Sequence, residues 1–133
     1  RAEIQHKEVE HRSPDYEKAL DLRDRVLRAP LSLDFTKEQL DAESDETHLV
    51  AKSVSGDILA TACLVWTDET TAKLRQVAVE PDSRGLGLGE EIVRFAESRV
   101  ALSGRSSVYC HARHTVIGFY EKLGYKIIGT SFE

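Results

Sequence analysis

With 133 residues, 41% of them hydrophobic and 31% charged, the chain has the length and make-up of one soluble globular domain rather than a disordered or fibrous one. A formal charge of -5 speaks against broad binding to nucleic acid, which needs dense Lys and Arg to displace counterions. No apolar run reaches the roughly 20 residues of a bilayer span, so a membrane partner is not expected either.

The opening residues Arg1-Ala2-Glu3-Ile4-Gln5-His6 carry charges where a secretory leader would be apolar, which makes a cytoplasmic setting the expectation. Residues 4–9 read as a first strand. Ser13-Pro14-Asp15 is a helix start, with Ser as cap, Pro at the first helical position and Asp near the positive end of the helix dipole. Tyr16, Ala19, Leu20, Val26 and Leu27 then recur at helical spacing until Pro30 closes the segment. Thr36-Lys37-Glu38-Gln39 has capping-box form and predicts a second, short helix.

After Asp45 the pattern changes to strands. Thr47 to Val54 and Ile58 to Trp66 form a predicted hairpin across Ser55-Gly56-Asp57, a connection too short for anything else. Both alternate sets of the second strand are largely apolar, so it should be covered on both faces. Cys63 falls in this strand and Cys110 in a later one. Two cysteines make neither a disulfide framework nor a metal site, and both are expected as small core residues. A strand from Leu74 to Glu80, a helix from about Leu88 to Leu102, a strand from Ser106 to Cys110, a helix from Val116 to Leu123 and a strand over residues 126–130 follow. No repeat or linker divides the chain. The expectation is one α/β domain over residues 1–133, ordered β-α-α-β-β-β-α-β-α-β, with a mixed central sheet and helices on both faces.

Between the third hairpin-region strand and the long helix stands Arg84-Gly85-Leu86-Gly87-Leu88-Gly89. A strand feeding a glycine-rich turn and a helix is an anion site, because the first helical N–H groups are unpaired and carry partial positive charge. Three alternating glycines exceed what a plain tight turn requires. A nucleoside-triphosphate loop would end in Gly-Lys-Ser/Thr, and Glu90 follows the last glycine here. The dinucleotide fingerprint fails as well, since counting from Gly85 puts Glu90 at its sixth position and no acid lies near Tyr109 and Cys110 some 20 residues on. A diphosphate on another cofactor remains.

Leu74-Arg75-Gln76-Val77-Ala78-Val79-Glu80-Pro81 with the glycine turn, and Gly118-Phe119-Tyr120-Glu121-Lys122-Leu123-Gly124-Tyr125, resemble the two central motifs of the GNAT superfamily of acyl-CoA N-acyltransferases. Their spacing and the element order match that family across essentially the whole chain. The resemblance implies acetyl-CoA as donor co-substrate, with backbone at Val77, Ala78 and Val79 along the pantetheine arm and Arg84, Gly85, Leu86, Gly87, Leu88 and Gly89 around the pyrophosphate. It implies an oxyanion donor at the N–H of Val77 or its neighbour, and Tyr120 as general acid for the departing thiolate. Tyr120 could instead be a core aromatic beside Phe119, but adjacent helical residues point in different directions, which favours the acid.

Three positions depart from the family's pattern. Lys73 stands where many relatives carry a carboxylate, Arg113 where many have an Asn toward pantetheine, and after residue 130 too few residues remain for the family's final strand, so either the sequence stops short of it or a partner chain supplies it in a homodimer. No protein base is assigned. Glu80 and His111 lie in the neighbourhood and read as structural or solvent-facing, leaving a water chain to carry the proton. His111 and His114 lack a third ligand, so no metal is expected. The implied function is acetyl transfer from acetyl-CoA to a primary amine of a small molecule or protein. The alternative is a non-catalytic acyl-CoA-binding or sensing module of the same fold.

Overall fold

The computed structural model describes residues 4–28, 45–111 and 116–126. The short helix expected at Thr36 and, apart from Lys126, the last strand over residues 126–130 lie outside them, as do Arg113 and His114. Strand β1 (Ile4–Val9) leads to helix α1 (Pro14–Arg23), which runs on as a π-helical turn over Asp24–Arg28. Ser13 caps α1 as its sequence predicts, its hydroxyl accepting from the Tyr16 N–H at 3.2 Å ahead of Pro14 at the start of the helix. Then follow β2 (Thr47–Ser53), β3 (Ile58–Trp66), β4 (Thr71–Val79), helix α2 (Leu88–Leu102), β5 (Ser107–Cys110) and helix α3 (Ile117–Lys122).

The five strands form one sheet in the order β1-β2-β3-β4-β5. The first three pairings are antiparallel and β4–β5 is parallel, because the first three connections need no crossover while α2 carries the chain back between β4 and β5. β4 begins three residues before the predicted Leu74. Asp68 explains the earlier start: its carboxylate accepts the backbone N–H groups of Thr70 and Thr71 at 2.8 Å each, folding the connection tightly enough for Ala72 to pair with Trp66.

β3 is covered on both faces, as its sequence predicts. Toward α2 it turns Ala60, Ala62 and Leu64, which join Leu49, Ala51, Ala72 and Leu74 in a cluster with Leu88, Ile92, Val93, Ala96 and Val100. Those helix residues recur at one-turn spacing and form a single apolar stripe. The opposite face holds Val9, Val50 and Ala78 against Tyr16, Ala19 and Leu22 of α1. Cys63 is buried and Cys110 half-buried, and neither forms a disulfide.

Candidate active site

Two irregularities of β4 open a gap in the sheet. Among the described residues the ladder with β5 runs from Thr71 opposite Ser107 to Leu74 opposite Cys110, while β4 continues from Arg75 to Val79. On its other side β4 pairs Arg75 with Cys63 and Ala78 with Thr61, so three steps along β4 match two along β3. This is a bulge, centred on Gln76, whose φ is 55°. A bulge turns and twists its strand, here where the parallel ladder ends. Beyond it the Glu80 N–H donates to the Leu59 carbonyl at 2.8 Å. Ladder groups alternate sides along a strand, so the N–H and C=O of Val79, and by the same alternation those of Val77, face away from β3 into the gap. Ala78 lies between them, opposite Thr61, with its methyl buried on the α1 side.

Past β4, a 3-10 turn (Pro81–Ser83) brings the exposed Arg84, Gly85 and Leu86 to the start of α2. Gly87 caps that helix with φ 83° and no side-chain hydrogen bond, a left-handed conformation that a Cβ makes costly. The first intrahelical bond runs from the Glu91 N–H to the Gly87 carbonyl at 3.0 Å, so the N–H groups of Leu88, Gly89 and Glu90 have no acceptor within the helix. Gly89 is needed for closeness: a Cβ there would meet the Phe119 ring at 3.2 Å and Val79 Cγ2 at 3.6 Å. Both flanks of the turn are thereby pinned to β4 and α3. Of the two carboxylates in this first turn, Glu91 lies 3.6 Å from His6 Nε2 and Glu90 is exposed.

Tyr120 packs against the core cluster that Val77, Val79 and Cys110 also border. Its ring packs between Phe119, with centroids 5.0 Å apart, and Tyr125, at 5.4 Å. Burial pushes its phenol above the usual tyrosine range, and the neighbouring Cys110 thiol at the end of the parallel ladder adds to the rise. Cys110 is itself pushed up by burial. One expectation about this residue is corrected: Phe119 and Tyr120 both pack against the same core cluster. In a helix as short as α3, adjacent side chains can straddle one apolar patch, so their different directions do not separate a core role from a site role.

Among the neighbouring charges, Glu80 is engaged. Arg25 grips both its oxygens, at 3.0 and 3.1 Å, tying the end of β4 to the turn after α1. Arg75 does the same with Glu46, at 2.9 and 2.7 Å. Lys73, half-buried, lies opposite Tyr109 in the parallel ladder, and the exposed His111 meets the Tyr109 ring at 5.9 Å. Among the described residues no group of three or more His, Cys, Asp or Glu side chains could hold a metal, and no helix is long and apolar enough to cross a membrane.

Sequence reasoning missed Gln76, since nothing marks a glutamine as the residue that will take a positive φ. It also missed Glu97 and Arg94, which look like ordinary members of a solvated helix face but bind Tyr125 and the Leu123 carbonyl.

A family profile described as an acetyltransferase (GNAT) domain matches residues 44–127, spanning the gap, the glycine turn and Tyr120. The chain belongs to the GNAT acetyltransferase family. It is an acyl-CoA-dependent N-acetyltransferase, and its family uses acetyl-CoA as co-substrate with an amine as acceptor. The chain is similar to a Bacillus subtilis (strain 168) protein named uncharacterized N-acetyltransferase YitI, with 29% identity over 131 residues covering 94% of this chain and 87% of the relative. Among solved structures it resembles a putative N-acetyltransferase from Lactobacillus plantarum, with a TM-score of 0.85 at 17% identity over 98% of this chain and 90% of that one. It also resembles Escherichia coli ElaA, with a TM-score of 0.80 at 19% identity over 98% and 92% of the two chains. A third likeness is to glucosamine-6-phosphate N-acetyltransferase from Arabidopsis thaliana, with a TM-score of 0.73 at 19% identity over 98% and 96%.

Proposed function

We propose that residues 1–133 act as one domain that passes an acetyl group directly from acetyl-CoA to a primary amine of a small molecule or protein, with Tyr120 as general acid. The observation that carries this reading is the end of the β4–β5 ladder at Leu74 and Cys110, where Cys110 and Tyr120 pack against the same core cluster. The backbone groups of Val77 and Val79, which face away from β3, suit a pantetheine arm added like a strand. The unpaired N–H groups of Leu88, Gly89 and Glu90, with Arg84 at the rim, suit the pyrophosphate.

In this reading the amine nitrogen attacks the thioester carbonyl, and the developing oxyanion is met by the Val77 N–H. The C–S bond breaks, the thiolate takes the Tyr120 proton, and the products are the acetamide and free CoA thiol. The proton lost by the amine leaves through water and restores the phenol; Glu80, held by Arg25, is not the base. A buried phenol is a weak acid, but the same surroundings penalise a sulfur anion, as the raised Cys110 thiol testifies. Proton transfer between the two is therefore a comparison of two disfavoured anions, and it need not be steeply uphill. A cytoplasmic setting accords with two cysteines that form no disulfide.

The test is release of CoA thiol from acetyl-CoA across a panel of small amines and peptide N-termini, with acetyl-CoA binding followed by calorimetry. Amine-dependent release by one class supports the reading and names that class. Tight binding with no amine-dependent release would leave a binding module in its place.

A further inference from the structure

The position of Tyr120 is a problem that α3 does not solve alone. The helix has six residues, none of them fully buried, and a helix of that length is unstable by itself. Its geometry must come from its ties. At its near end Phe119 rests on Gly89. At its far end the Tyr125 N–H donates to the Tyr120 carbonyl and the Gly124 N–H to the Glu121 carbonyl, both at 3.0 Å. This is a Schellman closure, which folds the residue after the glycine back onto the helix, and here that residue is Tyr125, packed against the Tyr120 ring.

Tyr125 is in turn fastened to α2. Its hydroxyl donates to Glu97 Oε2 at 2.8 Å, Arg94 Nη1 donates to Glu97 Oε1 at 2.8 Å, and Arg94 Nη2 donates to the Leu123 carbonyl at 3.0 Å. Glu97 thus accepts from Tyr125 on one oxygen and from Arg94 on the other, and Arg94 also holds the turn. Leu123 already anchors that turn in the core with 9% exposure, so the fold has an attachment there without the Tyr125 hydroxyl. What the hydroxyl adds is the angle of the Tyr125 ring, and that ring is one wall of the Tyr120 slot. Among the described residues the Tyr120 hydroxyl itself has no hydrogen-bond partner, so the packing of its ring sets its direction.

We propose that Glu97 and Tyr125 are positioning residues: the Tyr125–Glu97 hydrogen bond, steadied by Arg94, fixes the Tyr120 ring so that its hydroxyl meets the leaving sulfur. The inference rests on the general-acid reading of Tyr120. It also links donor and acid, since the helix whose first turn suits the pyrophosphate carries Glu97 about 12 Å further along its axis.

The experiment is steady-state kinetics of Tyr125→Phe, Glu97→Leu and Glu97→Gln, each alone, with Tyr125→Phe also made in a Tyr120→Phe background and melting temperatures recorded throughout. Tyr125→Phe and Glu97→Leu should each lower kcat on the order of 10-fold, with the KM for acetyl-CoA within about twofold of wild type, as misorientation of one reacting group predicts. Glu97→Gln keeps an acceptor for the phenol and should stay within about threefold of wild type. In the Tyr120→Phe background Tyr125→Phe should cost nothing further, because the proton it aims is gone. If Tyr120→Phe is slow but Tyr125→Phe turns over like wild type, or loses the same factor in both backgrounds, the positioning role is overturned while the acid stands. If Tyr120→Phe itself turns over like wild type, the acid reading falls and the inference with it.

Discussion

A general acid must hold its proton at working pH and release it only as charge builds on the leaving atom. Tyr120 meets the first requirement through burial, which raises its phenol above the ordinary range near 10. The sign is simple: a raised phenol keeps the neutral, donating form to higher pH. Log kcat should therefore show no alkaline fall due to Tyr120 up to about pH 10, where an unperturbed tyrosine would be half ionised. An alkaline limb with a lower midpoint that disappears in Tyr120→Phe would contradict the assignment. Tyr120→Phe should itself lower kcat on the order of 100-fold while the KM for acetyl-CoA holds, since the hydroxyl matters as the sulfur gains charge. Gly87 illustrates what the sequence conceals at this scale. Its place at the helix start is legible from the spacing of glycines, whereas its φ of 83° is not, because helix caps usually take extended backbone. Gly87→Ala is accordingly expected to cost about 1–2 kcal/mol in denaturant unfolding from left-handed strain, and to weaken acetyl-CoA binding by calorimetry.

Most elements could be read in advance because their patterns are local. Ser13-Pro14 starts α1, the doubly apolar run of β3 marks a central strand, and the stripe from Leu88 to Val100 marks α2. What escaped reading depends on partners distant in sequence. The early start of β4 follows from side-chain capping by Asp68, its bulge from mispairing with β3, and the shared packing of Phe119 and Tyr120 from the core cluster both border. Charge at an element boundary gives a separate test. Asp15, in the first turn of α1, lies 2.9 Å from both Lys7 and Lys52, and those two ammonium groups, Lys52 foremost, hold its carboxyl below the ordinary value. A depressed carboxyl contributes stability that is complete above the unfolded pKa near 4 and is lost as pH falls through the folded one. Asp15→Asn should thus lower stability at pH 7 by up to about 1 kcal/mol, and the difference from wild type should close below about pH 4. A gap that persists at pH 2 would mean that Asp15 acts through packing.

Among the described residues, the sheet is covered on both faces and its β4–β5 ladder ends partway along β4. A family-wide chemistry was legible in the sequence because its two motifs flank the opening beyond that end; the acceptor was not, because no motif in the chain encodes it. The central claim is that acetyl-CoA lies in this opening with its pyrophosphate on the first turn of α2. The most direct measurement is backbone amide hydrogen exchange by NMR with and without acetyl-CoA. The account predicts added protection at Val77 and Val79, facing the gap, and at Leu88, Gly89 and Glu90, with little change along the β1–β2 ladder. Saturating acetyl-CoA that leaves those five amides unchanged, or that protects the α1 face instead, would contradict it.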